Sequence, residues 1–328
     1  MNTAQMLWRG IGLLLGASVV ATPVAAVVIA SLRQVDQRSP QAPVAMGRDP
    51  RASSILGPIY VGSLSEGLER PLGVAVSEQD EVYVADGACR CIRIFDPTGK
   101  LRATLGPQVG DTELQYPIAL TFDAEDTLYV SDLGAGQIAV FHSGVYKGRL
   151  SRGQIPTEVQ HPAGIQIRGE HIYINDLSKH QVLLFDSEGN LVRTFGAGGD
   201  SESGGGGHLS YPNYALTLSD GSLLVADSDN NRLQMFDNSG KTAASWTGPL
   251  LVPRGLAPDA EGNIHVANVM SGRIEVFSRA GKHLGGYAQF SGGPEFGFPT
   301  GLAAHRDKLY VADRGNKQVQ IGRWPPRR

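Results

Sequence analysis

The chain is predicted to be all-β, a six-bladed propeller, from three observations: a sixfold repeat, a repeat length of 41–50 residues, and short apolar runs separated by turn residues within each copy. The copies open at Pro71, Pro117, Pro162, Pro212, Pro253 and Pro299, so successive spacings are 46, 45, 50, 41 and 46 residues. A period of about 40–50 residues made only of β-like runs is the length of one four-stranded blade, whereas solenoid repeats of that length are helical.

The strands come in a fixed order. Each proline starts a first strand, as in Pro71-Leu-Gly-Val-Ala-Val76 and Pro299-Thr-Gly-Leu-Ala303. Second strands are near-continuous apolar runs ending on a short polar residue: Val82–Asp86, Leu128–Asp132, Ile172–Asp176, Leu223–Asp227, Ile264–Asn268 and Leu309–Asp313. Such runs suit strands buried on both faces between neighbouring blades. Turn signals such as Ser219-Asp-Gly221 and Asp259-Ala-Glu-Gly262 precede several of them. Third strands end on Phe95, Phe141, Phe185, Phe236 and Phe277, with Ile321 in the sixth copy. That copy has no fourth strand of its own, because only Gly322–Arg328 remains and Pro325-Pro326 cannot extend a ladder. The unassigned β-like run Ile55–Gly62 is the expected donor, clasping the ends of the chain together and protecting the edges.

The copies resemble the NHL repeat. Val225-Ala-Asp-Ser-Asp-Asn-Asn-Arg-Leu-Gln-Met-Phe236 is nearly that family's signature, and Tyr310-Val-Ala-Asp-Arg-Gly-Asn-Lys-Gln-Val-Gln-Ile321 is close to it. The resemblance covers residues 54–324 and implies a six-bladed propeller of NHL type. Copy two departs from it with Leu133-Gly-Ala-Gly136, and copy five with Asn268 in place of the aspartate. WD40 blades fit less well, since no copy carries a Trp-Asp pair and the chain has only three Trp.

Ahead of the repeats, residues 11–30 form twenty uncharged residues, Ile11-Gly-Leu-Leu-Leu through Val28-Ile-Ala30. At about 1.5 Å per helical residue they span roughly 30 Å, the thickness of a bilayer core. Pro23 within the run is tolerable in a membrane helix. The expectation is an uncleaved single-pass transmembrane anchor, although small residues before Ser31 also suit cleavage of a signal. Counting Arg9 against Arg33, Arg38, Arg48 and Arg51 favours a cytoplasmic propeller. A first apolar segment this near the amino terminus instead leaves that terminus inside and exports the rest of the chain, and the extracytoplasmic placement is adopted. Residues 33–53 hold Pro40, Pro43 and Pro50, are poor in apolar side chains, and read as a stalk. The organisation is thus an anchor or uncleaved signal at 1–32, a flexible proline-containing linker at 33–53, and the propeller at 54–328.

Composition narrows the partners. The formal net charge is −3 with Lys and Arg scattered among the copies, which argues against the RNA binding by a basic face found in some NHL domains. The two cysteines, Cys89 and Cys91, stand at i and i+2 in the first copy. They read as loop thiols, as a disulfide in an oxidising compartment, or as a redox or metal pair.

The recurring aspartates Asp86, Asp132, Asp176, Asp227 and Asp313 each end a strand before a turn. There a short acid accepts hydrogen bonds from loop amides, so they are expected to be structural, with Arg232 within reach of Asp227. The family resemblance extends to amidating lyases, whose zinc is held by histidines that come directly after the blade-opening proline. The residues in that place are Leu72, Ile118, Ala163, Asn213, Arg254 and Thr300, none of them histidine, and a catalytic zinc needs about three protein ligands. His265 occupies a slot held elsewhere by Tyr83, Tyr129, Tyr173 and Tyr310 and is expected to pack in its strand; His161, His171, His180 and His305 are the others weighed for convergence. The glycine-rich stretch from Gly196 to Gly207 lacks the Lys-Ser/Thr ending of a phosphate loop and leads into a strand.

What varies on a fixed scaffold is the residue after each proline, which is how a binding ring looks. Leu72, Ile118 and Ala163 are apolar, while Asn213, Arg254 and Thr300 are polar and come from consecutive copies; Tyr214 stands where glycine is usual. Asn213, Tyr214, Arg254 and Thr300 are therefore the candidate ligand-binding residues. No catalytic residue, metal ligand or cofactor is assigned. The expected function is a membrane-tethered module that binds or scaffolds a protein, peptide or glycan on the top face of the propeller. The alternative is a propeller lyase or hydrolase using the same channel mouth.

Overall fold

The computed structural model describes residues 55–150, 159–196 and 207–325; the anchor expected at 11–30, the linker expected at 33–53 and most of the glycine-rich stretch lie outside the described residues. No helix among the described residues is long and apolar enough to cross a membrane.

Six four-stranded antiparallel sheets succeed one another along the chain. Blade one comprises Pro71–Val76, Val82–Asp86, Cys91–Phe95 and Leu101–Leu105. Blade two comprises Pro117–Phe122, Thr127–Asp132, Gln137–His142 and Val145–Arg149. Blades three to five begin at Pro162–Arg168, Pro212–Thr217 and Pro253–Pro258 and end with Leu191–Phe195, Thr242–Trp246 and His283–Tyr287. Blade six has Pro299–His305, Lys308–Asp313 and Gln318–Arg323, and its fourth strand is Ile59–Leu64 from the other end of the propeller. The first strands neighbour one another in a closed ring, so they line the central channel.

Glycine at the third position of the first strand decides how tightly the ring closes. A Cβ on Gly73 would lie 2.6 Å from the Ile118 carbonyl oxygen, and one on Gly301 would lie 2.7 Å from that of Leu72. Blades two and four carry Ala119 and Tyr214 there, and these side chains pack into the two-to-three and four-to-five seams instead.

The core is divided among the seams. Six apolar clusters occupy the six interfaces, for example Leu216, Leu224, Trp246, Leu256 and Val266 between blades four and five and Leu64, Val74, Val84, Phe95, Tyr310 and Val319 between blades six and one. Phe95, Phe141, Phe185, Phe236 and Phe277, ending the third strands, are all fully buried. Each contributes about 2–3 kcal/mol of transfer free energy relative to exposure.

The clasp forms, with a shifted frame. Antiparallel pairing matches Ile59 with Arg323, Tyr60 with Gly322 and Leu64 with Val319, so the strand is Ile59–Leu64 and not Ile55–Gly62. Pro58 offers no N–H to a ladder. Ile55 upstream of it donates its amide to the Gly286 carbonyl of blade five at 3.2 Å. The six-to-one seam is tied further by the Thr300 hydroxyl, which donates to the Leu72 carbonyl at 2.9 Å, and by Asp80, which meets His305 and Arg306. A chain beginning at Arg70 should therefore melt well below one beginning at Ala52; equal thermal midpoints for the two would show that the clasp carries no stability.

Candidate functional site: the channel mouth

The mouth lies on the face that carries the turns between second and third strands and the loops entering each first strand. Its geometry rests on the repeated acid. Asp86 accepts from the amides of Glu69 at 2.7 Å and Arg70 at 3.1 Å. Asp132 accepts from Gln115 and Tyr116 at 2.9 and 2.7 Å, and Asp313 from Gly297 and Phe298 at 2.9 and 3.0 Å. Asp176 takes the Gln160 amide at 2.7 Å, and Asp227 that of Ser210 at 2.6 Å. Each side chain is fully buried and ties the incoming loop of its blade to the end of the second strand. These carboxylates are thus committed to backbone amides, as the sequence pattern implies.

The residue before each third strand completes the pattern. Arg90, Gly136, His180, Asn231, Gly272 and Lys317 all have left-handed backbone conformation, with φ between 51° and 63°. In blades one, two and six the acid takes two consecutive loop amides. In blades four and five the preceding blade supplies the acceptor for the second amide: His180 Nδ1 accepts from the Tyr211 amide at 3.1 Å, and Asn231 Oδ1 from the Val252 amide at 2.8 Å. No sequence motif marks these two residues, and only the shared left-handed turn identifies their role.

Burial pushes the carboxyls of Asp132 and Asp313 upward, against the pull of their hydrogen-bond donors. Asp227 differs in having a cation, Arg232 Nε at 2.8 Å. In blade five Asn268 does the same work with an amide: its Oδ1 accepts from the Leu251 amide at 2.5 Å and its Nδ2 donates to the Pro249 carbonyl at 2.7 Å.

The six residues after the prolines converge as expected. Leu72, Ile118, Ala163, Asn213, Arg254 and Thr300 all line one void in the channel, together with Tyr214. That void measures about 50 Å³, room for a few waters and far below the roughly 300 Å³ of a small-molecule pocket. The predicted residues have unequal freedom there. Thr300 is buried with its hydroxyl directed at backbone carbonyls of blades one and six. Asn213 donates to Ser228 Oγ at 2.8 Å, and Ser228 donates onward to the Pro253 carbonyl, pinning blade four to blade five. Tyr214 is half-buried against the four-to-five cluster, and desolvation pushes its phenol up to about 12. Arg254 remains at the mouth, near Asp229. Burial raises the Asp229 carboxyl, while His180 and Arg254 act to lower it and Asp227 to raise it.

The histidines do not gather. His161 and His180 belong to the mouth face, whereas His171 and His305 lie at the turns of the opposite face. His161 is buried, and desolvation pushes its imidazole down against the opposing pull of Asp176. His265 is a packed strand residue, with Nδ1 2.9 Å from the Tyr287 hydroxyl and Nε2 3.3 Å from Asp259. It copies the arrangement of Tyr129, whose hydroxyl donates to Asp123 at 3.0 Å. Among the described residues no three His, Cys, Asp or Glu side chains are grouped so as to hold a metal ion. Cys89 and Cys91 form a disulfide within the blade-one turn, across a Cα separation of 5.2 Å.

A cleft that the sequence does not announce lies on the opposite face. It encloses about 400 Å³ between the turns of blades four and five, with a floor of Leu216, Leu218 and Ile264 and a rim that includes Arg168 and Arg279. Arg168 donates to the carbonyls of Thr217 and Leu218, both at 2.9 Å.

Fold and mouth together define a six-bladed β-propeller closed by a strand from its own N-terminal side. No protein-family model matches the chain. It is similar to the brain tumor protein of Drosophila melanogaster, 30% identical over 131 residues, a match covering 38% of this chain and 12% of that protein. Among solved structures it is similar to a gluconolactonase from Xanthomonas campestris, with a TM-score of 0.63 and 16% identity over 84% of this chain and 97% of that one. It is also similar to virginiamycin B lyase from Staphylococcus aureus, with a TM-score of 0.58 and 15% identity over 80% and 98% of the two chains. At these identities the likeness is one of fold.

The amide of Asn268 generates a prediction. Asn268→Asp restores the residue that the repeat favours, yet it should destabilise the protein by about 1–3 kcal/mol at neutral pH, because a carboxylate oxygen would face the Pro249 carbonyl. The new carboxyl would have a raised folded pKa, so the loss should fade as pH falls through the carboxylate range. Thermal melts of both proteins at pH 7 and pH 4 measure this, and a loss that does not shrink at low pH would contradict it.

Proposed function

We propose that the protein is a membrane-tethered propeller of NHL type that binds or scaffolds a protein, peptide or glycan through the mouth face, outside the cytoplasm. The observation that carries this reading is the mismatch between the mouth and its channel. A ring of variable residues surrounds a void too small for a ligand to enter, so recognition falls to the rim and its loops. Arg254 and Asp229, with exposed Leu251 and Met270 on the neighbouring loops of blade five, supply charge and apolar contact there. The partial match to the brain tumor protein supports the NHL character of the repeats. The disulfide suits an oxidising compartment, and the apolar segment at 11–30 supplies an anchor.

The alternative reading is a propeller lyase or hydrolase. It draws support from the similarity to a lyase and a gluconolactonase, and from the mouth residues His180, Tyr211, Asp229 and Arg254, which include groups able to donate and accept protons.

Capture of partners from solubilised membranes, with affinity then measured, tests the first reading. Arg254→Ala combined with Asp229→Ala should weaken the captured interaction at least about tenfold while the folded protein is retained. Unchanged affinity in the double variant would remove the mouth from partner recognition. Turnover of gluconolactone or virginiamycin B by the purified protein, lost in Asp229→Asn, would instead establish the enzymatic reading.

A further inference from the structure

The outer strand of blade six and the segment leading into it expose a strip of aliphatic side chains that their own packing does not explain. Leu56 is 91% exposed, Ile59 51% and Val61 45%. Ile59 and Val61 project from one face of the clasp, while Tyr60 between them turns inward against Gly293 and the five-to-six cluster. The strip thus consists of the residues that the clasp does not need for closure. Outer strands elsewhere expose Val145 on blade two and Leu191 and Val192 on blade three, but neither place adjoins the stalk.

Position along the chain says what covers the strip. Leu56 lies only 26 residues beyond the apolar run 11–30. A coil of about that length would have a mean reach of roughly 25–30 Å, so the membrane-tethered reading keeps residue 56 within about that distance of the bilayer. The chemistry beside the strip is that of a membrane interface. Arg323 pairs with Ile59 across the clasp and with Lys308 on its other side, while Trp324, next in the chain, packs inward against His265 and the five-to-six cluster. The Arg323 guanidinium also contacts Asp307 at 3.2 Å. The sequence then continues Pro325-Pro326-Arg327-Arg328. Aliphatic side chains flanked by Lys and Arg partition into the headgroup and upper acyl region, and the cations favour anionic lipid.

We infer that the clasp edge formed by Leu56, Ile59 and Val61, flanked by Lys308 and Arg323, docks on the lipid surface and lays blade six against the bilayer. The inference rests on the membrane-tethered reading above. Because the strip lies on the outer edge of a blade and the mouth on a face, docking leaves the mouth open to its partner.

The test uses the full chain reconstituted in vesicles of phosphatidylethanolamine and phosphatidylglycerol, with brominated phosphatidylcholine as the quencher. Leu56→Trp and Val145→Trp place a new indole on the strip or on blade two, and each is read as emission added to that of the parent protein. The docked geometry predicts that brominated lipid quenches the added emission of Leu56→Trp at least about twofold more than that of Val145→Trp. Vesicle flotation separates the two readings. A protein that floats with vesicles while the two positions are quenched equally overturns the docking and leaves the tether intact. A protein that does not float overturns both. A strip indole that is unquenched and blue-shifted in a floating protein of doubled cross-linked mass assigns the strip to a second copy, and likewise overturns lipid docking.

Discussion

The structure depends on one buried hydrogen-bonding unit used six times: a short polar side chain at the end of each second strand, closed over the amides of the incoming loop. A propeller blade has no covalent or helical link to hold its loop against its sheet, and amides left unpaired there would each cost about 1–3 kcal/mol. The acid removes that cost. It does so with different help in different blades: Arg232 beside Asp227, Gln137 and Gln320 beside Asp132 and Asp313, and an amide in place of the acid at Asn268. At blades four and five, His180 and Asn231 reach across from the preceding blade to take one more amide. Hydrogen bonds of the same kind that close a blade therefore also join blades.

This economy explains why the polar residues of the channel ring are less available than their chemistry suggests. Thr300 and Asn213 look like ligand-binding side chains, yet each spends its hydrogen bonds on a seam. The two seams filled by Ala119 and Tyr214 instead of glycine make the channel asymmetric, with bulk introduced at blades two and four. Exposed polar surface is thereby displaced outward from the channel to the rim, where Asp229 and the blade-five loops are exposed and Arg254 is half-buried.

Much of the architecture was legible in the repeat. Prolines spaced by about one blade, apolar second strands and terminal phenylalanines reflect constraints that act within each blade, so each leaves a periodic mark. The structural role of the aspartates was legible for the same reason. The frame of the clasp was not, because apolar residues run through the whole of Ile55–Gly62, and the choice of Ile59–Leu64 depends on Pro58 and on the Gly286 carbonyl of another blade. His180 and Asn231 were equally hidden: their acceptors serve a neighbouring blade, and nothing periodic in type distinguishes them.

By itself the sequence determined the number of blades, the strand order within each, and which end of the chain lacks a strand, because these depend on hydrophobic period and proline position along one dimension. The tertiary structure alone decided which polar residues stay exposed at the mouth and which are consumed in closing the ring. That division arises because a side chain's hydrogen-bond partner lies in the adjacent blade, 21–31 residues away in sequence for His180, Ser228 and Asn231, and at the last seam between Thr300 and Leu72, 228 residues apart.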